Sequence, residues 1–343
     1  MTFEPDIPAE PPPRLGRWAR LKARFGMVGG VRAAAERGSG IWRWTRRVLL
    51  LLAAIVLLYY PVGMAIIHEI DDNPDFAPAT VDAGESHTVA MMAALIEREV
   101  DSHRWVPNDP IFIPSWALDN MPNFQLGLMA GLSRMAVELT DQIGRMRGSS
   151  QVDPDLEKAV GYLKYPGDVW IWNPSVSWAP TATSEQQYRA GRRHLLAYNK
   201  RLAAGQAVFE RRADNLQVTL ERIAADLGSS SAIIDRYVVE RGGALFDSKV
   251  DDIFYQNKGR LYAYYLLLRA LGRDYEAVIR ERDLVAVWKQ MLDSFANAAR
   301  LSPWVVMNGT PESLLIPNHL ASQGFYLLRA RTQLREVSNV LIK

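Results

Sequence analysis

The sequence predicts a mostly α-helical protein: one N-terminal transmembrane helix, then an all-α helical-bundle domain on the far side of the membrane carrying two long Trp/Pro-rich loops. Three observations support this. Val48–Ile67 is a run of twenty residues without a charge. Leucines recur seven apart in the C-terminal half, at Leu320, Leu327, Leu334 and Leu341. No stretch of strict apolar–polar alternation exceeds a few residues, so no half-buried strand is expected.

The uncharged run comes first in the chain. At the rise of an α-helix, twenty residues span about 30 Å, the thickness of a bilayer's hydrocarbon core. Arg46 and Arg47 bound it on one side, and His68, Glu69, Asp71 and Asp72 on the other. Tyr59 and Tyr60 lie towards its C-terminal end, where amphipathic rings suit a membrane interface. Pro61 falls in the last turns, where a spanning helix absorbs it. Gly63 and Ala65 form a small-residue pair such as a signal peptidase accepts. The basic region before the run is 47 residues long, however, and signal peptides are complete within about 15–30. An uncleaved anchor is therefore expected.

Charge then orients the chain. Residues 1–47 carry ten Lys/Arg and four Asp/Glu, a balance of +6, and residues 48–343 carry thirty and thirty-four, a balance of −4. Arginine beside the anchor places the N-terminus in the cytoplasm and everything after Ile67 across the membrane. An acidic exterior speaks against a nucleic-acid partner. There is no cysteine, which excludes disulfides, thiol chemistry and Cys-ligated metals.

The cytoplasmic tail, residues 1–47, begins with the Pro-rich EPDIPAEPPP, an extended stretch. Arg17, Trp18, Arg20, Lys22 and Arg24 then lie in a short basic amphipathic segment suited to the surface of the lipid bilayer. Gly38-Ser39-Gly40 is expected to break the chain before the anchor, 48–67. Beyond it lie two regions, 68–182 and 183–343. Asp71–Pro78 reads as a polar linker, and Ser86 caps a helix to about Val100 with Val89, Met92, Leu95 and Ile96 on one face. Trp105–Asn123 has four prolines in nineteen residues and reads as an ordered loop held by Trp105, Phe112 and Trp116. Phe124–Arg147 reads as a helix with Leu126, Met129, Ala130, Val137, Ile143 and Met146 inward. Gly127 and Gly131 permit close helix approach. A short helix spans Pro154–Tyr165, and Tyr165–Pro180 forms the second aromatic loop.

From Thr183 and Ser184, at capping-box spacing from Gln186 and Gln187, one long helix is expected to about Leu227. Leu195, Leu202, Phe209, Leu216 and Ile223 lie seven apart along it. Helices follow near Ala232–Glu240, Val250–Leu271, Tyr275–Leu301 and His319–Lys343. Two heptad helices in one chain suggest an intramolecular antiparallel pair, with an oligomer through the same seam as the rival.

The HRWVPNDPIFIP…LDNMPNFQLG block (His103–Gly127), the YPGDVWIWNP loop (Tyr165–Pro174), the single anchor and the helical C-terminal half together resemble a bacterial family. It is known only as domain of unknown function 2333, inner-membrane proteins of proteobacteria. The resemblance covers roughly Val48–Lys343. It implies a periplasmic body in a Gram-negative cell and assigns no catalytic or binding residue.

No signature of catalysis stands out. HExxH spacing, a GxSxG elbow and SxxK are all absent, as is any phosphate-cradling glycine loop, so neither cofactor nor metal is expected. Glu99 and His103 share a helix face, as do Glu97 and Asp101. They could form a metal or acid–base site, although a solvated helix end is the plainer expectation. The aromatic loops are the more unusual feature. Trp105, Asn108, Asp109, Trp116, Asp119 and Asn120 in the first, and Asp168, Trp170, Trp172, Asn173 and Trp178 in the second, combine flat apolar faces with hydrogen-bonding groups. Such a set fills a helix seam, contacts an envelope protein, or binds a glycan such as peptidoglycan, with a carboxylate as general acid if the glycan is cleaved. An envelope-protein scaffold or accessory module is the preferred function, and a glycan-binding or glycan-cleaving protein the alternative.

Overall fold

A computed structural model describes residues 17–143, 152–172, 174, 178–241, 243, 248–303, 305–310, 313 and 316–342, with side chains from Trp42 onward. Among these there is no strand, only an isolated bridge between Asn308 and Asn318. The Pro-rich tail and Asn173 lie outside the described residues. Residues 1–61 and 62–343 form two compact units.

The first helix, α1, runs unbroken from Arg17 to Ile67. The expected break at Gly38-Ser39-Gly40 does not occur. Glycine weakens a helix by about 1 kcal/mol relative to alanine but forbids none of its dihedrals. Arg17–Arg24 therefore lie on the same helix as the anchor. Within α1, Trp42–Ile67 is 26 residues long with mean hydropathy 2.4, and none of its most apolar window is buried. It is long and apolar enough to cross a membrane.

The second unit is a helical body. Its helices are α2 (His87–Glu97), α3 (Asn120–Glu138), α4 (Pro154–Leu163), α5 (Ser184–Ala203), α6 (Ala213–Arg241), α7 (Ser248–Asp274), α8 (Glu276–Glu281), α9 (Val285–Ala299) and α10 (His319–Ile342). One hydrophobic cluster runs through it from Val89 to Leu341.

Local chemistry sets several helix starts. The Ser86 hydroxyl accepts from the Val89 amide. The buried Asp274 carboxylate accepts from the Ser86 hydroxyl and the His87 and Thr88 amides, so α2 starts on a buried anion that suits its dipole. Thr183 and Gln186 form the expected capping box. Asn120, rather than Phe124, starts α3. Pro122 is tolerated because first-turn amides have no intrahelical acceptor to lose.

Glycine organises the centre. A side chain on Gly127 would come within 1.9 Å of the Gln256 carbonyl oxygen, and one on Gly259 within 2.0 Å of that of Phe124. Backbones of α3 and α7 thus touch, and the small pair Gly127/Gly131 is their interface. This rotates α3 from the face its apolar residues suggest. Phe124, Leu128, Leu132 and Met135 are buried, while Leu126, Ala130 and Val137 lie half-buried on the flank.

Three helices in the C-terminal half differ from expectation. The one expected over Tyr275–Leu301 is two, α8 and α9, parted where Asp283 takes a left-handed φ of 51°. The other two concern α5 and α6. The long helix from Ser184 stops at Ala203, where Gly205 takes a left-handed φ of 70°, and resumes at Ala213. Phe209 still points inward, on the turn. Tyr275 packs against its ring and donates to the Glu210 carbonyl. Conversely, α6 does not stop at Leu227 but continues through Gly228–Ser231 to Arg241, because that stretch is covered. Gly228 abuts the Arg331 guanidinium, and Arg260 donates to Ser230. Helices α6 and α10 form the antiparallel pair. Ser338 meets Glu221, Arg331 meets Gly228, and Gly324 meets Ile234. Leu320, Leu327, Leu334 and Leu341 are all buried in the body.

Candidate functional site

The two aromatic loops lie between α2 and α3 and between α4 and α5. The first is aimed by the segment before it. After α2, Arg98–Ser102 is a π-helical turn, and its wider pitch turns three consecutive residues, Arg98, Glu99 and Val100, inward. Arg104 then takes a left-handed φ of 65°, and Gln125 of α3 fixes the exit. Its side chain accepts from the Val106 amide at 3.1 Å and donates to the Arg104 carbonyl at 2.9 Å.

From here the two loops are bonded to each other. Trp105 is fully buried, donates its indole N–H to the Gly167 carbonyl at 2.8 Å and meets Tyr188 edge-on. Gly167 is needed there, because a side chain would lie 2.4 Å from Leu126 and 3.1 Å from the Trp105 ring. The Asn108 amide donates to the Val169 carbonyl at 2.9 Å and to Glu185 at 2.8 Å. Asp109 accepts from Ser115 and Arg104. The buried Ser184 closes the second loop. Its hydroxyl donates to the Pro166 carbonyl and accepts from the Val169 amide.

The expected site therefore divides in two. Trp105, Asn108 and Asp109 are inside the seam, with the Trp105 indole N–H, the Asn108 NH2 group and the Asp109 carboxylate all hydrogen-bonded. Trp116 and Trp172 are each 53% exposed and Trp178 is 79% exposed, and Ile111, Phe112 and Ile171 join them at the surface. Phe112, expected to hold the loop, instead meets Trp170 of the second loop edge-on at 5.6 Å. Trp172 donates to the Trp178 carbonyl. The signal for Ile111, Phe112 and Ile171 was present in the sequence. Apolar residues pinned between prolines cannot fold back along a helix to reach a core. Asp168 is exposed with no partner fixing it in the loop seam.

Asp119 and Asn120 face elsewhere. Asp119 precedes α3, and Asn123, one turn on, donates to Asp252 of α7 at 2.6 Å and to the Asp119 carbonyl. Partial desolvation and the hydrogen-bonded, like-charged Asp252 push the Asp119 carboxyl up to about 7.

The Glu99–His103 pair is also brought together, but not as a solvated helix end. Glu99 is 1% exposed and Arg98 6%. Arg98 bonds Glu99 at 2.9 Å and the Tyr262 hydroxyl at 2.8 Å, and Gln125 donates to Glu99. His103 stands 3.7 Å from Glu99 and 3.6 Å from Glu69, and the neighbouring Glu99 carboxylate raises its pKa. Glu97 and Asp101 point the other way, to Arg192 and Arg189 of α5. Among the described residues no three His, Asp or Glu side chains are grouped to hold a metal.

This buried cluster grips residues 71–76, which read in sequence only as a linker. Arg98 donates to Asp71 and lies over the Phe76 ring. The buried Lys258 pairs with Asp72 at 2.7 Å, Tyr262 donates to the Asn73 carbonyl, and Arg269 to those of Pro74 and Phe76.

A family model described as an uncharacterized protein conserved in bacteria (DUF2333) matches residues 48–241 and 247–343. No curated protein matches the chain, and neither does any solved structure.

Proposed function

The chain belongs to this bacterial family, and on that premise we propose that it is a single-pass inner-membrane protein whose helical body is an accessory binding module for other envelope proteins. The N-terminus is cytoplasmic and the body periplasmic in this proposal, supported by the excess of arginine before the anchor and the acidic balance after it.

The observation that carries the binding role is the exposed apolar set on the joined loops: Ile111, Phe112, Trp116, Ile171, Trp172 and Trp178. Neither Ile111–Trp116 nor Val169–Trp172 contains a charge. Charge-poor surface rich in tryptophan is what the centre of a protein interface uses, and fully covering one such side chain is worth about 1.5–3 kcal/mol. Peptidoglycan binding by the same loops is supported less well. Sugar recognition needs polar groups beside the aromatic faces, and Asn108 and Asp109 are instead buried in the seam, with the Asn108 NH2 group and the Asp109 carboxylate engaged there.

The test is affinity capture of tagged full-length protein from membranes in mild detergent, with mass spectrometry. The expected result is one stoichiometric envelope protein that W116A/W172A/W178A loses. Capture unchanged in that variant, or sacculus binding abolished by Trp172→Ala with no protein captured, would overturn the protein-docking role.

A further inference from the structure

A second site lies on another part of the body. Helices α7, α8 and α9 enclose a pocket of about 590 Å³, within the range that holds small molecules. Its wall is half apolar and half cationic. Ile279, Trp288 and Leu292 supply hydrocarbon, and Arg269, Arg273, Arg280 and Lys289 supply charge, against a single acid, Glu276.

The pairing within this wall decides which charges are available. Glu276 is paired with Arg280 one turn on. Arg269 reaches away to the Pro74 and Phe76 carbonyls. Asp274, beside Arg273 in sequence, is bound up at the start of α2. Arg273 and Lys289 are left exposed, with no acid paired to either among the described residues. Two further features favour an anion. The first turn of α9 enters the pocket at Val285, and its N-cap, Leu284, offers no side-chain acceptor, so uncapped amides and the positive end of a 15-residue helix meet there. Trp288, 5% exposed, has an indole N–H without any acceptor. It sits at the gap left by Gly272, where a side chain would come within 2.5 Å of Nε1. A buried donor left unpaired is destabilising, and Gly272 and Trp288 both line the pocket.

We infer that this pocket binds an amphipathic anion, a phosphate or carboxylate group held by Arg273, Lys289 and the start of α9, with an apolar tail against Ile279, Trp288 and Leu292. The ligand is either a phospholipid drawn from the bilayer or a soluble organic phosphate. Both present the same chemistry. This site is separate from the aromatic loops and does not depend on the role proposed for them.

The test uses the full chain in an amphipathic polymer, titrated calorimetrically with decyl phosphate, inorganic phosphate and decanol. Decyl phosphate is expected to bind at least about tenfold more tightly than either other probe. R273A/K289A should weaken it by about tenfold or more, the effect of losing charge-assisted hydrogen bonds. Trp288→Phe, which keeps the packing and removes the N–H, should weaken it less, and circular dichroism should show both variants folded. Native mass spectrometry from nanodiscs separates the sources. Retention of phosphatidylglycerol over phosphatidylcholine assigns the site to a lipid, and binding of decyl phosphate without such retention assigns it to a soluble ligand. Absence of decyl phosphate binding, equal binding of all three probes, or binding undiminished in folded R273A/K289A would overturn the inference.

Discussion

The body of this protein places two kinds of residue against habit, in two regions. Around Arg98 and Glu99 it buries charge, and on the joined loops it exposes tryptophan. The difference lies in what the polar groups do. In the charged region every element contributes a partner: Gln125 from α3, Tyr262 from α7 and Asp71 from the segment after the anchor. Burial is possible there because the network is closed. In the loops, Asn108, Asp109 and Ser184 also form hydrogen bonds, but these hold the loops in place and leave the aromatic side chains at the surface. The first region is therefore a structural clamp on residues 71–76, and the second is the exposed apolar surface on which the proposed docking role rests.

Substitutions break this comparison in graded ways. The largest effect is expected at the clamp. Arg98→Ala leaves Glu99 buried without its guanidinium and should lower stability by about 3–5 kcal/mol in urea unfolding, and should also free residues 71–76 to proteolysis. Asn108→Ala comes next. It removes two hydrogen bonds that join the loops, one to a carboxylate, and should cost about 1–3 kcal/mol while accelerating amide exchange at Val169 and Ser184. Trp178→Ala should change stability by less than about 0.5 kcal/mol, as surface substitutions do. A cost similar to that of Asn108→Ala would mean that Trp178 packs like the buried Trp105.

A separate effect concerns pH. The Asp119 carboxyl binds its proton more tightly folded than unfolded. From about 4 to 7 the folded chain thus holds more protons, and stability falls as pH rises through that window. Asp119→Asn should flatten that slope and leave stability below pH 4 unchanged. An unaltered slope would move its origin to another group.

Much of this was legible in the sequence where the signal is local. The Ser86 cap and the Thr183 capping box depend on residues two or three apart, and the leucine seam of α10 on spacing alone. The membrane helix was legible from charge and length, although its extension back to Arg17 was not, because glycine lowers helix propensity without ending a helix. What stayed hidden depends on distant partners. Nothing near Glu99 announces Tyr262, so its burial could not be read from spacing. The continuation of α6 through Gly228–Ser231 rests on Arg331 and Arg260, and the stop at Ala203 rests on a core that Phe209 enters from a turn. In the loops, residue types identified an unusual surface. Which tryptophans line the seam and which face outward was set by Gly167, far along the chain in the other loop, and by Gln125 of α3.

The measurement closest to the central claim is site-specific photo-crosslinking in intact cells. Benzoylphenylalanine would replace Phe112 or Trp178 on the loops, with the exposed apolar Val239 of α6 as control. The account predicts a discrete protein adduct from positions 112 and 178 and none from 239. Adducts of the same pattern from all three, or none from the loops, would contradict the assignment of these loops as the docking surface.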